Sequence, residues 1–402
     1  MYTKRFGKGR HGVTYSGRFK FSGGTSGAGK RGFKGDKIDP LRFVNKAQPV
    51  TEEAYISQNS FQSFNLDPRL LQNIIAKGYT SPMEIQDKTI TLALAGKDII
   101  GLANTGMGKT AAFLIPLIQK TVASNNASKT LIITPTRELA EQIRTELIAL
   151  TRNMGIWSVL VIGGANIKRQ IMDLNRNYNF VIGTPGRLKD LSNRRNLNFA
   201  LFGNLVLDEV DRMFDMGFSR DIKLILSGLP KTKQSFFFSA TITRDVDDLI
   251  LQNSNNAERI SVVKRETTAS VDQDIIKVDN LARKIEILHD LLIKKDFEKV
   301  LIFGRTKWGV HKLSQELQRR GFKSESIHGG KTQAQRQRAL ASFRENKITI
   351  LVATDVAARG LDIPNVTHII NYEVPDTYTD YIHRIGRTGR ANKTGTALTF
   401  VS

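Results

Sequence analysis

Short apolar runs alternate with segments of helical period along most of this chain, and that alternation constrains the fold more than any other feature. Runs at residues 98–102, 131–134, 159–162, 180–182, 205–207 and 235–238 form one series, and runs at 300–303, 324–327, 348–352, 368–371 and 397–401 form another. Strands of this length separated by helices pack as a parallel sheet covered on both faces. Between the two series, residues 264–273 (KRETTASVDQ) are polar and non-periodic and read as a linker. The expected fold class is therefore α/β, with two lobes that show no sequence repeat between them. Residues 66–77 add a helix that Asp67 and Pro68 start and Gly78 stops.

The run at 205–207 ends abruptly at Asp208 and Glu209, with Asp211 just beyond. Open parallel sheets bind ligands at the carboxyl ends of their strands, where carboxylates need a cation or a hydrogen-bonded partner. Alone, this pattern also reads as a solvated acidic turn. The stretch ANTGMGKT (103–110), directly after the run at 98–102, shifts the balance. It matches the phosphate-binding loop except that Ala103 replaces the first glycine. Gly106 and Gly108 let backbone amides curl around phosphate oxygens, Lys109 supplies a point charge, and the Thr110 hydroxyl suits magnesium. Magnesium on nucleotide phosphates needs a nearby carboxylate, directly or through water, which gives the pair Asp208 and Glu209 a role.

Charge points to the partner. The 402 residues hold 60 Lys and Arg against 38 Asp and Glu, a net charge of +22 that favours a polyanion. No apolar run approaches a membrane span, so a soluble protein is expected. The absence of cysteine excludes disulfides and thiolate metal sites and suits a reducing compartment such as the cytoplasm. Residues 1–37 contain ten Lys or Arg, ten Gly and one acid, with Tyr2, Phe6, Tyr15, Phe19, Phe21 and Phe33 between them. This composition buries too little apolar area to order itself, and it suits sequence-tolerant binding of single strands. A transit peptide is a weaker rival, because frequent glycine opposes an amphipathic helix.

Further motifs fall in a fixed order: GYTSPMEIQ (78–86), PTRELA (135–140), Gly163 with Gly164, TPGR (184–187), DEVD (208–211), SAT (239–241), HGG (328–330), QAQR (333–336), ATDVAARGLDIP (353–364) and HRIGRTGR (383–390). Together with the phosphate loop they make the chain resemble the DEAD-box ATP-dependent RNA helicases of superfamily two, from about residue 61 to 402. The resemblance implies two tandem RecA-like domains: 61–263, which binds ATP, and 273–402, joined by a linker at 264–272 and preceded by the arm (1–37) and an N-terminal linker (38–60).

It also implies roles. Phe61, Tyr79 and Gln86 would meet the adenine, and Thr105, Gly106, Gly108, Lys109 and Thr110 the phosphates and magnesium. Asp208 would stand on the metal side, and Glu209 would activate the attacking water. Gly360 and Asp362 would reach the γ-phosphate and ribose from the second lobe, and Arg387 and Arg390 resemble arginine fingers. Asp211, Ser239, Thr241 and His383 would couple the nucleotide to RNA. Backbone contacts to RNA would come from Pro135, Thr136, Arg137, Gly164, Thr184, Gly186 and Arg187, then Arg336 and Thr354. Asn104, Met107, Met83 and Val210 depart from the usual pattern, and Met83 lacks a hydroxyl that normally supports the phosphate loop. The resemblance further leads us to expect a closing helix beyond Ser402.

The expected activity is RNA-stimulated hydrolysis of ATP with magnesium, in a monomer that unwinds short duplexes or remodels ribonucleoproteins. An ATP-dependent RNA clamp and a DNA-directed helicase are the alternatives.

Overall fold

The computed structural model describes residues 38–47, 55–104, 106–262, 270–358, 363, 365–389 and 394–401. The expected arm at 1–37 and linker residues 264–269 lie outside the described residues. Two parallel sheets account for the core. The first holds β1 (Ile99–Ala103), β2 (Thr130–Ile133), β3 (Ser158–Val161), β4 (Phe180–Gly183), β5 (Asn204–Asp208), β6 (Gln234–Ser239) and β7 (Glu258–Val262), in the order β3-β4-β2-β5-β6-β1-β7. The second holds β8 (Val271–Lys277), β9 (Val300–Phe303), β10 (Ser324–Ile327), β11 (Ile350–Ala353), β12 (His368–Asn371) and β13 (Gly395–Val401), in the order β10-β11-β9-β12-β13-β8. Among the described residues no helix is long and apolar enough to cross a membrane.

The apolar runs form strands because they are buried on both faces. Along β5 and β6, Val206, Phe236 and Phe238 pack on one side, under helices such as Lys109–Ala123 and Arg137–Leu150. Leu205, Leu207 and Phe237 pack on the other. Successive side chains thus alternate between two cores, as a pleated strand requires. Gly101 of β1 lies under the ring of Phe238, where any added Cβ would overlap it. The helix Pro68–Ala76 begins as its sequence predicts, with the Asp67 carboxylate accepting from Arg69 N–H, and Gly78 follows at φ +85°.

Two strands fall outside the expected runs, and both are sheet edges. ERISV in β7 and VDQDIIK in β8 mix exposed polar residues with buried apolar ones, and so carry no continuous apolar signal. Val271 and Asp272 therefore belong to the second sheet and not to the linker expected through 272. The second departure is larger. Residues expected as an N-terminal linker pack on both lobes. Asp39 caps a 3-10 turn, Pro40–Phe43, which buries Phe43 completely against Tyr381 at a centroid distance of 4.6 Å. The Arg42 guanidinium sits 3.9 Å over the Tyr378 ring. Asn45 then exchanges two backbone hydrogen bonds with Gln273, of 3.0 and 2.7 Å, and covers the free edge of β8. Further on, Tyr55, Ser57, Gln58 N–H and Asn59 all donate to the buried carboxylate of Asp87 in the first lobe.

Phe43→Ala removes the anchor of the 38–47 segment at a cost of about 3–5 kcal/mol. Hydrogen exchange at the Gln273 amide should then accelerate by orders of magnitude while the central strand β9 stays protected. Unchanged exchange at Gln273 would show that the bridge at Asn45 holds without the ring.

Candidate active site

Sheet order decides which loops become neighbours. At the carboxyl edge of the first sheet the ends of β1, β6 and β5 lie side by side, and those of β2, β4 and β3 continue the row. The first three carry the phosphate loop, residues 239–241 and residues 208–211. The other three carry residues 135–137, 184–187 and 163–164. The phosphate-loop and acidic residues and the first-lobe strand-binding residues expected from sequence therefore occupy adjoining halves of one edge.

In the phosphate loop Gly106 and Gly108 adopt φ of +90° and +84°. Lys109 and Thr110 open the helix Lys109–Ala123, so its free N-terminal amides join the loop. Thr105 lies outside the described residues. Gln86, 4% exposed, uses its amide inside the protein: Oε1 accepts from Met83 N–H (2.9 Å) and Nε2 donates to the Gly108 carbonyl (3.1 Å). It thereby ties the upstream motif to the loop and keeps one donor hydrogen and one acceptor lone pair for a base edge. An added Cβ at Gly108 would overlap Gln86 Nε2 and crowd Met83 Sδ, so the thioether packs where the expected hydroxyl is lacking. The Tyr79 hydroxyl donates to Glu146 (2.5 Å), and burial, with that partner, raises its pKa. Phe61 is only 1% exposed because its ring stacks on Tyr79 at 6.1 Å. It backs the tyrosine and does not itself line the cavity.

The strand β5 delivers Asp208 and Glu209 into nearly complete burial, at 2% and 4% exposure. One oxygen of Asp208, Oδ1, has no hydrogen-bond partner. Burial pushes its pKa up to about 6; Lys109 opposes the shift and Glu209 adds to it. Glu209 adopts φ +56°, a left-handed conformation costing a side-chain-bearing residue roughly 1–2 kcal/mol. Arg212, also buried, holds the turned carboxylate by Nη1 to Oε2 at 2.8 Å. Asp211 joins β5 to β6: its Oδ2 accepts from Ala240 N–H, Thr241 N–H and Thr241 Oγ1, while its own N–H donates to Ser239 Oγ. Ser239 Oγ in turn donates to the Thr241 carbonyl at 2.7 Å. Val210 is buried in the apolar core beneath.

A cavity of 860 Å³ lies over these groups, lined by Tyr79, Gln86, Gly106, Lys109, Thr110 and Asp208 among others. This is ample for a nucleotide. Its far wall is the second-lobe helix Gln333–Arg344, through Gln337, Leu340, Ala341 and Arg344.

On the other half of the edge, Arg137 lies against Gly163 and Gly164, the latter at φ +76° with no room for a Cβ beside the guanidinium. Thr136 caps the helix Arg137–Leu150, and Pro135 precedes it. Thr184 and Gly186 open the helix Pro185–Asn193, with Gly186 exposed. Arg187 donates to Gln170 and to the Ala165 carbonyl.

The second lobe meets expectation less directly. Arg336, expected to contact RNA, is buried in an ion pair with Glu138 of the first lobe at 2.8 Å. Gln333 donates to Glu138 and Glu141 beside it. This contact docks the helix Gln333–Arg344 against the nucleotide cavity. Arg387, expected as an arginine finger, does not line the cavity over Lys109; it lines a separate cavity of 520 Å³ with Lys299, Thr367 and Thr388. Thr354 is buried, and its N–H donates to the Ile327 carbonyl. His383 sits on the helix Tyr378–Ile385 beside Phe303, Asp355 and Arg387. Gly360, Asp362 and Arg390 lie outside the described residues.

Sequence reasoning missed Arg212 and Arg384. Arg384 is 2% exposed and grips Asp355 with two hydrogen bonds of 2.6 and 2.7 Å, while Nη1 reaches Asn371 and the Glu373 carbonyl. It locks the helix carrying His383 to the carboxyl ends of β11 and β12. Its position in HRIGRTGR was the available signal.

Comparison with known proteins agrees with this layout. A family model described as DEAD/DEAH box helicase matches residues 83–249, and one described as helicase conserved C-terminal domain matches 283–392. The ATP-dependent RNA helicase CshA of Listeria monocytogenes is 45% identical over 342 residues, which cover 85% of this chain and 66% of that protein. The DEAD-box ATP-dependent RNA helicase CshA of Bacillus subtilis is 43% identical over 343 residues, covering 85% and 69%. The chain thus spans about two thirds of the length of these relatives. Among solved structures, S. cerevisiae Dbp5 bound to RNA and ADP BeF3 superposes with a TM-score of 0.75 at 30% identity, covering 85% of this chain and 89% of that one. Mss116p bound to ssRNA and AMP-PNP gives 0.77 at 29% identity, covering 89% and 77%. Two matched domain models, relatives above 40% identity and a shared two-lobe fold establish that the chain belongs to the DEAD/DEAH-box helicase family.

Proposed function

We propose that this protein is an ATP-dependent RNA helicase that couples ATP hydrolysis to local duplex separation or ribonucleoprotein remodelling. The observation that carries the reading is the shared carboxyl edge, where the phosphate loop, the acidic turn at 208–211 and the loops at 135–137, 184–187 and 163–164 follow adjacent strands, with Asp211 tying the turn to residues 239–241. Its relatives are named RNA helicases, and two similar structures hold RNA with an ATP analogue. The same reading makes the protein a cytoplasmic monomer whose partner is RNA, bound by sugar and phosphate without regard to sequence.

In this mechanism Tyr79 and Gln86 orient the base, while Lys109 and the amides of the loop hold the phosphates. Thr110 and Asp208 fit magnesium: both offer hard oxygen ligands, and the unpartnered buried Oδ1 of Asp208 is the atom a cation would satisfy. When bound, the ion neutralises charge on the phosphates. With Oε2 of Glu209 fixed by Arg212, Oε1 is left to accept the proton of the attacking water. Departure of phosphate relaxes the loop, and residues 239–241 beside it pass that change through Asp211 to the turn after β5, which adjoins the RNA half of the edge. For Arg387 to reach the γ-phosphate, the contact between Glu138 and Arg336 must break, which also frees Arg336 for RNA.

RNA-stimulated ATP hydrolysis tests the reading, and turnover indifferent to added RNA would remove it. A strand-displacement assay separates unwinding from a clamp that only holds RNA, and comparing RNA with DNA stimulation separates out a DNA-directed enzyme. Glu209→Gln should keep ATP and RNA affinity within a few-fold while turnover falls about 10²- to 10⁴-fold; ordinary turnover would take the base role away from Glu209. Asp208→Asn removes a buried charge, so the melting temperature of the nucleotide-free protein should rise by a few degrees at pH 7.5 as hydrolysis is lost. The sign follows from the raised pKa: the folded protein favours the neutral carboxyl, so the ionised form opposes folding above about pH 6. A lower melting temperature would mean that Lys109 compensates the charge fully.

A further inference from the structure

The chain has two tryptophans, and both are exposed, Trp157 at 68% and Trp308 at 72%. Trp157 precedes β3, at the amino end of the first sheet and away from the edge that carries the motifs. Trp308 stands at the opposite kind of place. It is the second residue of the helix Lys307–Arg319, which starts just beyond the carboxyl end of β9. Two strands along the same edge lie the loop after β10 and, between them, Thr354 after β11.

The helix is firmly seated, so the position of its first turn is fixed. Thr306 Oγ1 caps it by accepting from Gly309 N–H at 3.0 Å, and Val310, Leu313 and Leu317 are buried against the sheet. Lys312 Nζ lies 5.0 Å from the ring centroid, and the preceding residue, Lys307, carries its side chain along Gly329 in the loop after β10, where an added Cβ would sit 3.2 Å from its Cε. Neither lysine has an ion pair among the described residues. Nearby acids are engaged, Glu373 and Asp376 by Arg305 and Glu325 by Lys331. An exposed aromatic ring with one unpaired lysine beside it and another on the same helix turn suits a base with its phosphate, because any base offers a π-face and the cations take the backbone.

We propose that Trp308 is a base-stacking residue: it takes one unpaired base of the bound strand, beside the sugar-phosphate contacts of the second lobe. This rests on the reading of the chain as an RNA-binding ATPase. Stacking adds affinity for strands whose bases are turned outward without adding sequence preference, and so favours single strands over intact duplex at this end of the edge.

The test uses the full chain with a non-hydrolysable ATP analogue and two ten-nucleotide probes, a single-stranded RNA and its abasic counterpart. Trp308→Ala should weaken binding of the normal strand about 5- to 100-fold and leave the abasic strand unaffected, while Trp308→Phe retains most of the affinity. In a Trp157→Phe background, where Trp308 is the single indole, the normal strand should quench fluorescence and the abasic strand should not. Equal loss on both probes would make Trp308 a structural residue. Unchanged RNA affinity without quenching would overturn the stacking role and leave the indole as a contact for a protein. If the unaltered chain binds neither probe, the RNA reading itself fails; normal binding by the unaltered chain and Trp308→Ala alike defeats this inference alone.

Discussion

Parallel strands leave a sheet no choice about where its chemistry goes. Every strand in each sheet points the same way, so every loop that follows a strand emerges on one edge, and the amino edge receives only returning helices. Strand order then determines adjacency. Because β1, β6 and β5 are consecutive in space though distant in sequence, Lys109, Thr241 and Asp208 become neighbours, and Asp211 spans two adjoining loops with a single carboxylate. Placing β2, β4 and β3 alongside gives the same edge a second surface. The two halves adjoin where β5 pairs with β2.

That concentration has an electrostatic consequence. Asp208 is held without a partner on Oδ1, and Glu209 is turned into a conformation glycine tolerates better. Both features oppose folding, and both are sustained by two well-packed cores on either side of β5 and by the buried Arg212. The strain lies at the acidic turn beside the phosphate loop, and backbone outliers of this kind cluster at functional sites.

The central strands, the phosphate loop and DEVD were legible because each is local: an apolar run, a glycine pair, adjacent acids. Edge strands β7 and β8 were not, since a strand with one wet side mixes polar and apolar residues much as a loop does. Arg212 and Arg384 were invisible for another reason. A buried arginine is defined by the carboxylate that it meets, and sequence spacing does not reveal that Arg384 meets Asp355 or that Arg336 meets Glu138 across the lobes. The resemblance supplied roles for Arg336 and Arg387, but here Glu138 holds Arg336 and Arg387 lines a separate cavity.

The segment ahead of the first lobe also acquires a mechanical meaning. It is fixed to β8 at Asn45 and to the first lobe through Asp87, and between Ala47 and Tyr55 the backbone extends to roughly 28 Å at most. Residues 263–269 connect the lobes covalently, and this segment is a second, non-covalent connection. Joined twice, they resemble a book with a ribbon across its covers: the angle to which it opens is capped by the ribbon, and opening wider begins with unzipping Asn45 from the edge of the second sheet. The wait for the lobes to meet again would then be set by ribbon length as well as by ligand, and shortening or lengthening the stretch between 47 and 55 would tune a rate without touching either binding surface.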